Sequence, residues 1–407
     1  MATTHFTTPL AVDTLQTPRR KTLSTPPDTP VSNNNDSDNE SPALKNTGRN
    51  TTNSKIIEFP YDLEIARDSN GAYIEFGRGV WSIVYKATSN MSTRRSMMMM
   101  MTPPSSPVIS TYTTTSAKSS RVVAVKTPLR RDAYSILRAE AYILSRITST
   151  SPTASDGEKG EGEGGYVVPF YGYIPSSHAL VLQALPLSLS THIETCADQA
   201  RKSFSTRTMF DPVTPNWRGL ATQLIKGLDW LHTEVGVVHG DIKPHNILLR
   251  PRQPSSLEGG EMEYDALYAD FSSAHFISSP SSTSNSEEVP TGEGALTPPF
   301  SAPELLTLSA MKSSSPLTTP ASDIFALALT LLAAATGDVL VYSGTSAMQR
   351  LAMSREGWRA LDYVRSGANA SRLGRGRDGF VGRVVQRGIC REVESRATAG
   401  EWLDMFA

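Results

Sequence analysis

The stretch His239-Gly240-Asp241-Ile242-Lys243-Pro244-His245-Asn246 constrains this chain most, because three side chains of different chemistry share one short loop. Asp241 can accept a proton, Lys243 is a fixed cation two residues on, and Asn246 offers an amide oxygen to a hard metal ion. At that spacing all three reach a single centre, as the movement of a highly charged group requires. A loop of this kind works only if a scaffold brings other polar groups to it from distant parts of the chain.

Such groups occur on both sides of the loop. Gly77 and Gly79 lie in Gly77-Arg78-Gly79-Val80-Trp81-Ser82, after an apolar, strand-like run at residues 73–76 and before Ile83-Val84-Tyr85. Glycines between two strands let backbone N–H groups approach phosphates that a side chain would hold off. Taken alone, a Gly-x-Gly is equally an ordinary hairpin turn. Val122-Val123-Ala124-Val125-Lys126 reads as a buried strand ending in a charge, which by itself also fits a lysine laying its stem along apolar surface. Residues 131–147 have helical periodicity, with Ala133, Ile136, Leu137, Ala141, Leu144 and Ile147 on or near one stripe. Glu140 falls within that stripe, where a solvated charge is out of place. A cationic partner would explain it.

In this order the segments resemble those of the eukaryotic protein kinase family, Ser/Thr type. The loop at 239–246 is similar to H-R-D-x-K-x-x-N with Gly240 in place of Arg, and residues 77–84 to G-x-G-x-x-G-x-V with Ser82 at the third glycine. Residues 122–126 resemble V-A-I-K, and the resemblance implies that Glu140 holds Lys126 in place. Tyr268-Ala269-Asp270-Phe271-Ser272 resembles the D-F-G site with Ser272 for Gly, and Ala302-Pro303-Glu304 matches A-P-E. Asp323 opens an apolar helix like that of D-x-W-S-x-G, with Phe325 for Trp and Ala328 for Gly, and Arg396 resembles the late Arg that pairs with Glu304. The resemblance runs from about Tyr73 to Leu403.

It implies an α+β, bilobal protein-kinase-like fold. A small antiparallel-sheet lobe, about residues 56–184, would join a larger, mainly helical lobe, about 185–407, with ATP in the cleft between. The same resemblance implies the site. Asp241, Lys243, Lys126 and Glu140 would be catalytic. Gly77, Gly79, Val84, Ala124, Lys126, Leu182, Gln183, Leu185 and Leu248 would line the nucleotide, the linker near 182–185 meeting the adenine edge. Asn246 and Asp270 would hold Mg²⁺. Thr297 and Glu304 would belong to the activation segment, the Thr297 hydroxyl bridging Asp241 and Lys243. Lys243 and Thr297 together point to Ser or Thr acceptors in protein substrates.

The departures carry expectations too. In relatives with H-R-D the Arg pairs with a phosphate on the activation loop. Gly240 cannot do so, and phosphorylation of that loop is therefore not the expected on-switch. The three altered positions Gly240, Ser82 and Ser272 motivate an alternative, a nucleotide-binding pseudokinase acting as a scaffold, although every acid, base and metal ligand is kept. A small-molecule kinase of related fold is a further alternative, disfavoured by residues 302–304 and by the Lys243/Thr297 pair.

Composition limits the other classes. With 407 residues, 39% hydrophobic, the chain has ample length for a two-lobed core. A net charge of −1 gives no broad field toward nucleic acid or membrane, and neither is expected as a partner. Cys196 and Cys390 make no disulfide framework and fit a reducing compartment. Localisation reads as cytoplasmic, with Arg19-Arg20-Lys21 the one cluster that would suit a nuclear address. The apolar run at 324–335 is too short for a bilayer and reads as a core helix. Residues 1–55 are rich in Thr, Ser, Pro and Asn and are expected to be disordered. Their Thr-Pro and Ser-Pro steps, at Thr8, Thr17, Thr25, Thr29 and Ser41, are candidate phosphorylation sites, and the tail a candidate docking segment. Polar inserts are expected near 88–120, where Met97 to Met101 run together, and near 149–165, 251–261 and 278–294, all at turns.

Overall fold

The computed structural model describes residues 55–90, 120–150, 165–203, 205–252, 264–277, 296–313, 318–376 and 379–406. They fall within one compact unit, Asn53–Ala407. The tail expected to be disordered, and the central part of every expected insert, lie outside the described residues.

The amino-terminal part is an antiparallel sheet. Its strands are β1 (Leu63–Ile65), β2 (Glu75–Arg78), β3 (Ser82–Ser89), β4 (Arg121–Pro128), β5 (Phe170–Ile174) and β6 (Ala179–Gln183), in the order β1-β3-β4-β6-β5 with β2 paired to β3. Strand β4 is rich in β-branched residues, which suit a pleated surface. It pairs with β3 along its whole length, from Ser82 opposite Pro128 to Ser89 opposite Arg121. Alternation then divides its side chains. Val123 and Val125 pack with Phe59, Ala87, Ala179 and Val181, while Ala124 and Lys126 take the opposite face. Val122 was expected to be buried with its neighbours. It is 44% exposed, because it sits at the outer end of the strand.

Helix α1 (Ala133–Thr150) covers the sheet with its apolar stripe. Ala133, Leu137, Ala141, Ile143, Leu144 and Ile147 are all in the main core cluster. That cluster continues through the carboxy-terminal part, built on α2 (Leu189–Lys202), α3 (Trp217–Trp230) and α4 (Pro320–Thr336), with short helices α5 (Ala347–Ser354), α6 (Ala360–Ser366), α7 (Phe380–Gln386) and α8 (Ala399–Leu403) around them. Helix α4 contains the apolar run at 324–335. A capping box of Thr319 and Ser322, Pro320 in the first turn and left-handed Gly337 define its ends. It is buried from Ser322 to Thr336, as a helix apolar on all sides should be. Among the described residues no helix is long and apolar enough to cross a membrane.

The expected boundaries need small corrections. The strand read at 73–76 runs over Glu75–Arg78, after an isolated bridge from Tyr73 to Arg67. Thr88 belongs to β3, Ser149 to α1 and Pro251 to strand β8 (Ile247–Pro251), so those inserts start later than composition suggested. A small antiparallel sheet on an otherwise helical protein is the α+β, two-lobed architecture expected from the sequence.

Candidate active site

Strand β7 (Val237–Val238) leads into the loop at 239–246, and β8 pairs with β9 (Tyr264–Tyr268), which delivers Asp270. Strand β10 (His275–Phe276) then pairs back on β7. These ribbons hold the Asp241 loop and the Asp270 turn side by side. Ala269 N–H donates to Asn246 O at 2.9 Å, and His239 Nε2–H donates to Ala269 O at 3.1 Å.

Asp323, at the start of α4, anchors the loop from below. Its Oδ2 accepts the N–H of His239 at 2.7 Å and its Oδ1 that of Gly240 at 2.9 Å, with His232 Nε2 at 3.1 Å. The carboxylate is 1% exposed, and charge-assisted bonds of this kind are strong in such surroundings. The sequence marked Asp323 only as the start of an apolar helix. Its role as anchor depends on a contact across 84 residues that no local pattern reveals.

The polar residues from both parts of the chain converge. Lys126 Nζ donates to Glu140 Oε1 at 2.8 Å and Oε2 at 2.6 Å, and to Asp270 Oδ1 at 2.7 Å. Glu140 Oε1 also accepts Phe271 N–H at 3.1 Å, tying α1 to the Asp270 turn. Burial would lower the Lys126 pKa, but the facing carboxylates of Asp270 and Glu140 outweigh it and hold the ammonium charged. Burial raises Glu140, with Lys126 opposing the shift. For Asp270, desolvation pushes upward, yet Lys126 and hydrogen bonds from Lys126 and Ser272 keep the carboxyl well below the usual carboxylate range. Ser272 thus contributes a hydroxyl to Asp270 that the glycine of the usual motif could not, a contribution the sequence did not announce.

A second cluster surrounds Asp241, which is 9% exposed. Lys243 Nζ donates to its Oδ2 at 2.7 Å and Thr297 Oγ1 to its Oδ1 at 3.0 Å. Lys243 also reaches Thr297 Oγ1 at 3.1 Å. Asn246 Nδ2 donates to Asp241 O at 2.8 Å and Oδ2 at 3.1 Å. Burial raises the Asp241 pKa, and Lys243 partly offsets it. A carboxylate moved toward neutrality is a better proton acceptor near neutral pH than an ordinary one.

Gly240 explains how the backbone at Ser273 sits so close. Its φ is +80°, and a Cβ there would lie 2.6 Å from the Ser273 carbonyl oxygen. Left-handed backbone costs an L-residue roughly 1–2 kcal/mol, and the overlap adds to that. Gly240→Ala is expected to lower the melting temperature by several degrees in thermal denaturation, because a backbone atom must move and not merely a side chain. Gly240→Arg should fare no better.

The apolar groups expected around a nucleotide are also brought together. Ala124 pairs with Leu182, Val123 with Gln183, and Val84 with Lys126 across adjacent strands. Leu182 and Leu248 pack on a cluster of Val168, Leu185 and Leu267. The chain just after the expected linker is fixed by a bridge from Ser188 to Leu248 and by Leu249 N–H donating to Leu187 O at 2.9 Å. Gly77 and Gly79 lie in the β2–β3 hairpin, where Gly79 N–H donates to Ser82 O at 2.8 Å. A Cβ at Gly77 would meet nothing within 4 Å, and at Gly79 only Ser82 O at 3.8 Å. The protein's own packing therefore does not require either glycine, and the open cradle fits the approach of a phosphate chain.

Among the described residues no group of three or more His, Cys, Asp and Glu could hold a metal ion alone. The donors present are the Asp270 carboxylate and the Asn246 amide oxygen, its NH₂ being committed to Asp241. Two oxygen donors fit a hard cation that takes its remaining ligands from phosphates and water. Farther off, Arg396 forms a two-pronged pair with Glu304, at 2.7 and 2.8 Å, fixing the end of the activation segment against α4.

A family model described as the protein kinase domain matches residues 166–404. No curated protein matches the chain. The matched span covers more than half of the chain and takes in Asp241, Asn246, Asp270, Thr297 and Glu304, while Lys126 and Glu140, which precede it, meet Asp270 in the structure. The chain therefore belongs to the protein kinase domain family.

Proposed function

We propose that this chain is an ATP-dependent protein serine/threonine kinase. The observation that carries this reading is the double convergence: Lys126, Glu140 and Asp270 form one connected ionic group, and Asp241, Lys243 and Thr297 form another. ATP supplies the phosphoryl group, and Mg²⁺, when bound, would offset the charge on its phosphates. Lys126 orients the α- and β-phosphates and is itself oriented by Glu140. Asp270 and Asn246 would hold the metal. Asp241 accepts the proton of an acceptor hydroxyl as its oxygen bonds to the γ-phosphorus; the bond to the leaving oxygen breaks and ADP departs. Lys243 steadies the transferred group, so positioning and charge complementarity supply most of the rate.

Lys243 and Thr297 support Ser and Thr as acceptors. The test offers matched peptides that differ only in Ser, Thr or Tyr and identifies the phosphorylated residue. Labelled Ser or Thr is expected, and label on Tyr alone would reject the specificity. Prior phosphatase treatment is expected to leave the rate unchanged, since Gly240 has no side chain to hold a loop phosphate. A large loss of rate after that treatment would contradict this.

The acid limb of the pH–rate profile follows from Asp241. The base works only when ionised, so kcat/KM falls as pH drops through its raised pKa. Lys243 stabilises the ionised form, and Lys243→Met should therefore move this limb to higher pH as well as slow transfer. A limb that stays in place or moves downward would argue against Asp241 as the base.

The scaffold alternative draws on Gly240, Ser82 and Ser272. Magnesium-dependent nucleotide binding without transfer to any acceptor would favour it.

A further inference from the structure

Helix α1 carries Glu140, and its two ends are attached very differently. The short loop at 129–132 joins its first turn to β4. Its last turn leads into residues 151–169 before β5 begins. Besides the apolar packing of Ala141, Leu144 and Ile147 on the main core, a polar restraint holds the carboxy-terminal half of α1.

Residues 55–60 supply that restraint. Ile57 N–H donates to Ser145 Oγ at 2.9 Å, and Ser145 Oγ donates onward to Ala141 O at 2.7 Å. Ser145 is 1% exposed. On its other side the segment runs parallel to β5: Tyr173 N–H donates to Ile57 O at 2.8 Å, and Phe59 N–H to Tyr173 O at 2.9 Å. Phe59 is buried in the sheet core, and Ile56 and Ile57 pack on the main core. Gly172 makes the crossing possible. With φ +146°, its absent Cβ would lie 2.7 Å from Phe59 N and 2.8 Å from the Glu58 carbonyl carbon. The strand bends there, with a register shift between Phe170 and Gly172.

We infer that residues 55–60, through Ile57 and Ser145, are positioning elements for the Lys126–Glu140 pair: they strap α1 to β5 little more than one helical turn from Glu140. The consequence for phosphoryl transfer rests on the kinase reading above; the strap itself does not.

The test uses the full chain carrying Ser145→Ala or Ile57→Pro, which remove the same hydrogen bond from opposite sides, the two combined, and Ser145→Thr, which keeps the hydroxyl. Hydrogen exchange is followed in residues 133–150 and, as an internal reference, in 217–230. The kcat and KM for ATP are measured well below the melting temperature. One net hydrogen bond corresponds to a roughly five- to tenfold effect. Exchange in α1 is expected to quicken by at least about that factor in both single variants, with 217–230 unchanged and the combined variant no worse than Ile57→Pro alone. ATP KM should rise or kcat fall with it, and Ser145→Thr should restore both.

Unchanged α1 protection in both single variants would overturn the strap, as would loosening spread equally over 217–230. Looser α1 with unmoved kcat and KM would overturn the positioning role. If the unaltered chain transfers no phosphate, the kinase reading fails by itself, and the exchange measurement still decides whether the strap holds α1.

Discussion

Asp241→Asn is expected to lower kcat by about a thousandfold while leaving the protein folded and able to bind ATP. Loss of a positioned base commonly costs a factor of 10²–10⁴, equivalent to roughly 4 kcal/mol of transition-state stabilisation for the central value. Asparagine keeps an oxygen to accept from Thr297 Oγ1, which Asp241 Oδ1 holds at 3.0 Å, but its NH₂ replaces the Oδ2 that accepts from Lys243 and Asn246. A gain offsets the loss of those two contacts. Burial raises the Asp241 pKa, so folding with this group ionised costs stability, a cost that builds as pH rises from its unfolded pKa and is complete above the raised one. A neutral amide removes this penalty. Steady-state kinetics and thermal denaturation together make the distinction: a large fall in kcat with an unchanged or higher melting temperature supports the base role. A fall in both would instead make Asp241 a structural residue.

Glu304→Ala should have the opposite signature, a large loss of stability. The Arg396 side chain is fully buried beside a Glu304 carboxylate that is 31% exposed. Arg396 also donates to Cys390 O and Ala321 O, at 3.1 Å each, and lies over the Phe325 ring at 5.1 Å. Removing the carboxylate strands a guanidinium that cannot reach water without breaking these contacts. Orphaning a buried charge typically costs about 3–5 kcal/mol. The partial exposure of Glu304 places this case near the lower figure. For a domain of this size, roughly 3 kcal/mol corresponds to a fall of about 6–12 °C in melting temperature. Arg396→Lys should recover only part of it, since a lysine cannot reproduce the planar fork. A change of less than about 2 °C in Glu304→Ala would show that the pair is structurally idle.

Much of the candidate site was legible in the sequence, for identifiable reasons. Glu140 stood out as a charge within an apolar helical stripe, and Lys126 as a charge ending an apolar strand. A buried charge needs a partner, and the resemblance of residues 122–126 to V-A-I-K named which one. The loop at 239–246 was legible because its three functional side chains are close in sequence. Contacts that depend on tertiary structure were not. Asp323 is far along the chain from the two N–H groups that it accepts, and Ser272 announced a lost glycine, not a hydroxyl for Asp270. Ile56, Ile57 and Phe59 of the strap are visibly apolar, but its pairing with Tyr173 and its bond to Ser145 join residues far apart in the chain and left no local signal. Strand edges were misplaced where period-2 patterning fades into polar residues, as at Thr88 and Tyr73.

The most direct test of the proposed chemistry is transfer of labelled phosphate from γ-labelled ATP to a generic basic protein, by the full chain and by Asp270→Asn, with Mg²⁺ and with excess chelator. Asp270 is the residue where the metal, Lys126 and the phosphates should meet. Transfer by the unaltered chain that needs Mg²⁺ and drops by several orders of magnitude in Asp270→Asn is the expected result. Equal transfer by both proteins, or transfer indifferent to the chelator, would contradict the assignment of Asp270 and the mechanism built on it.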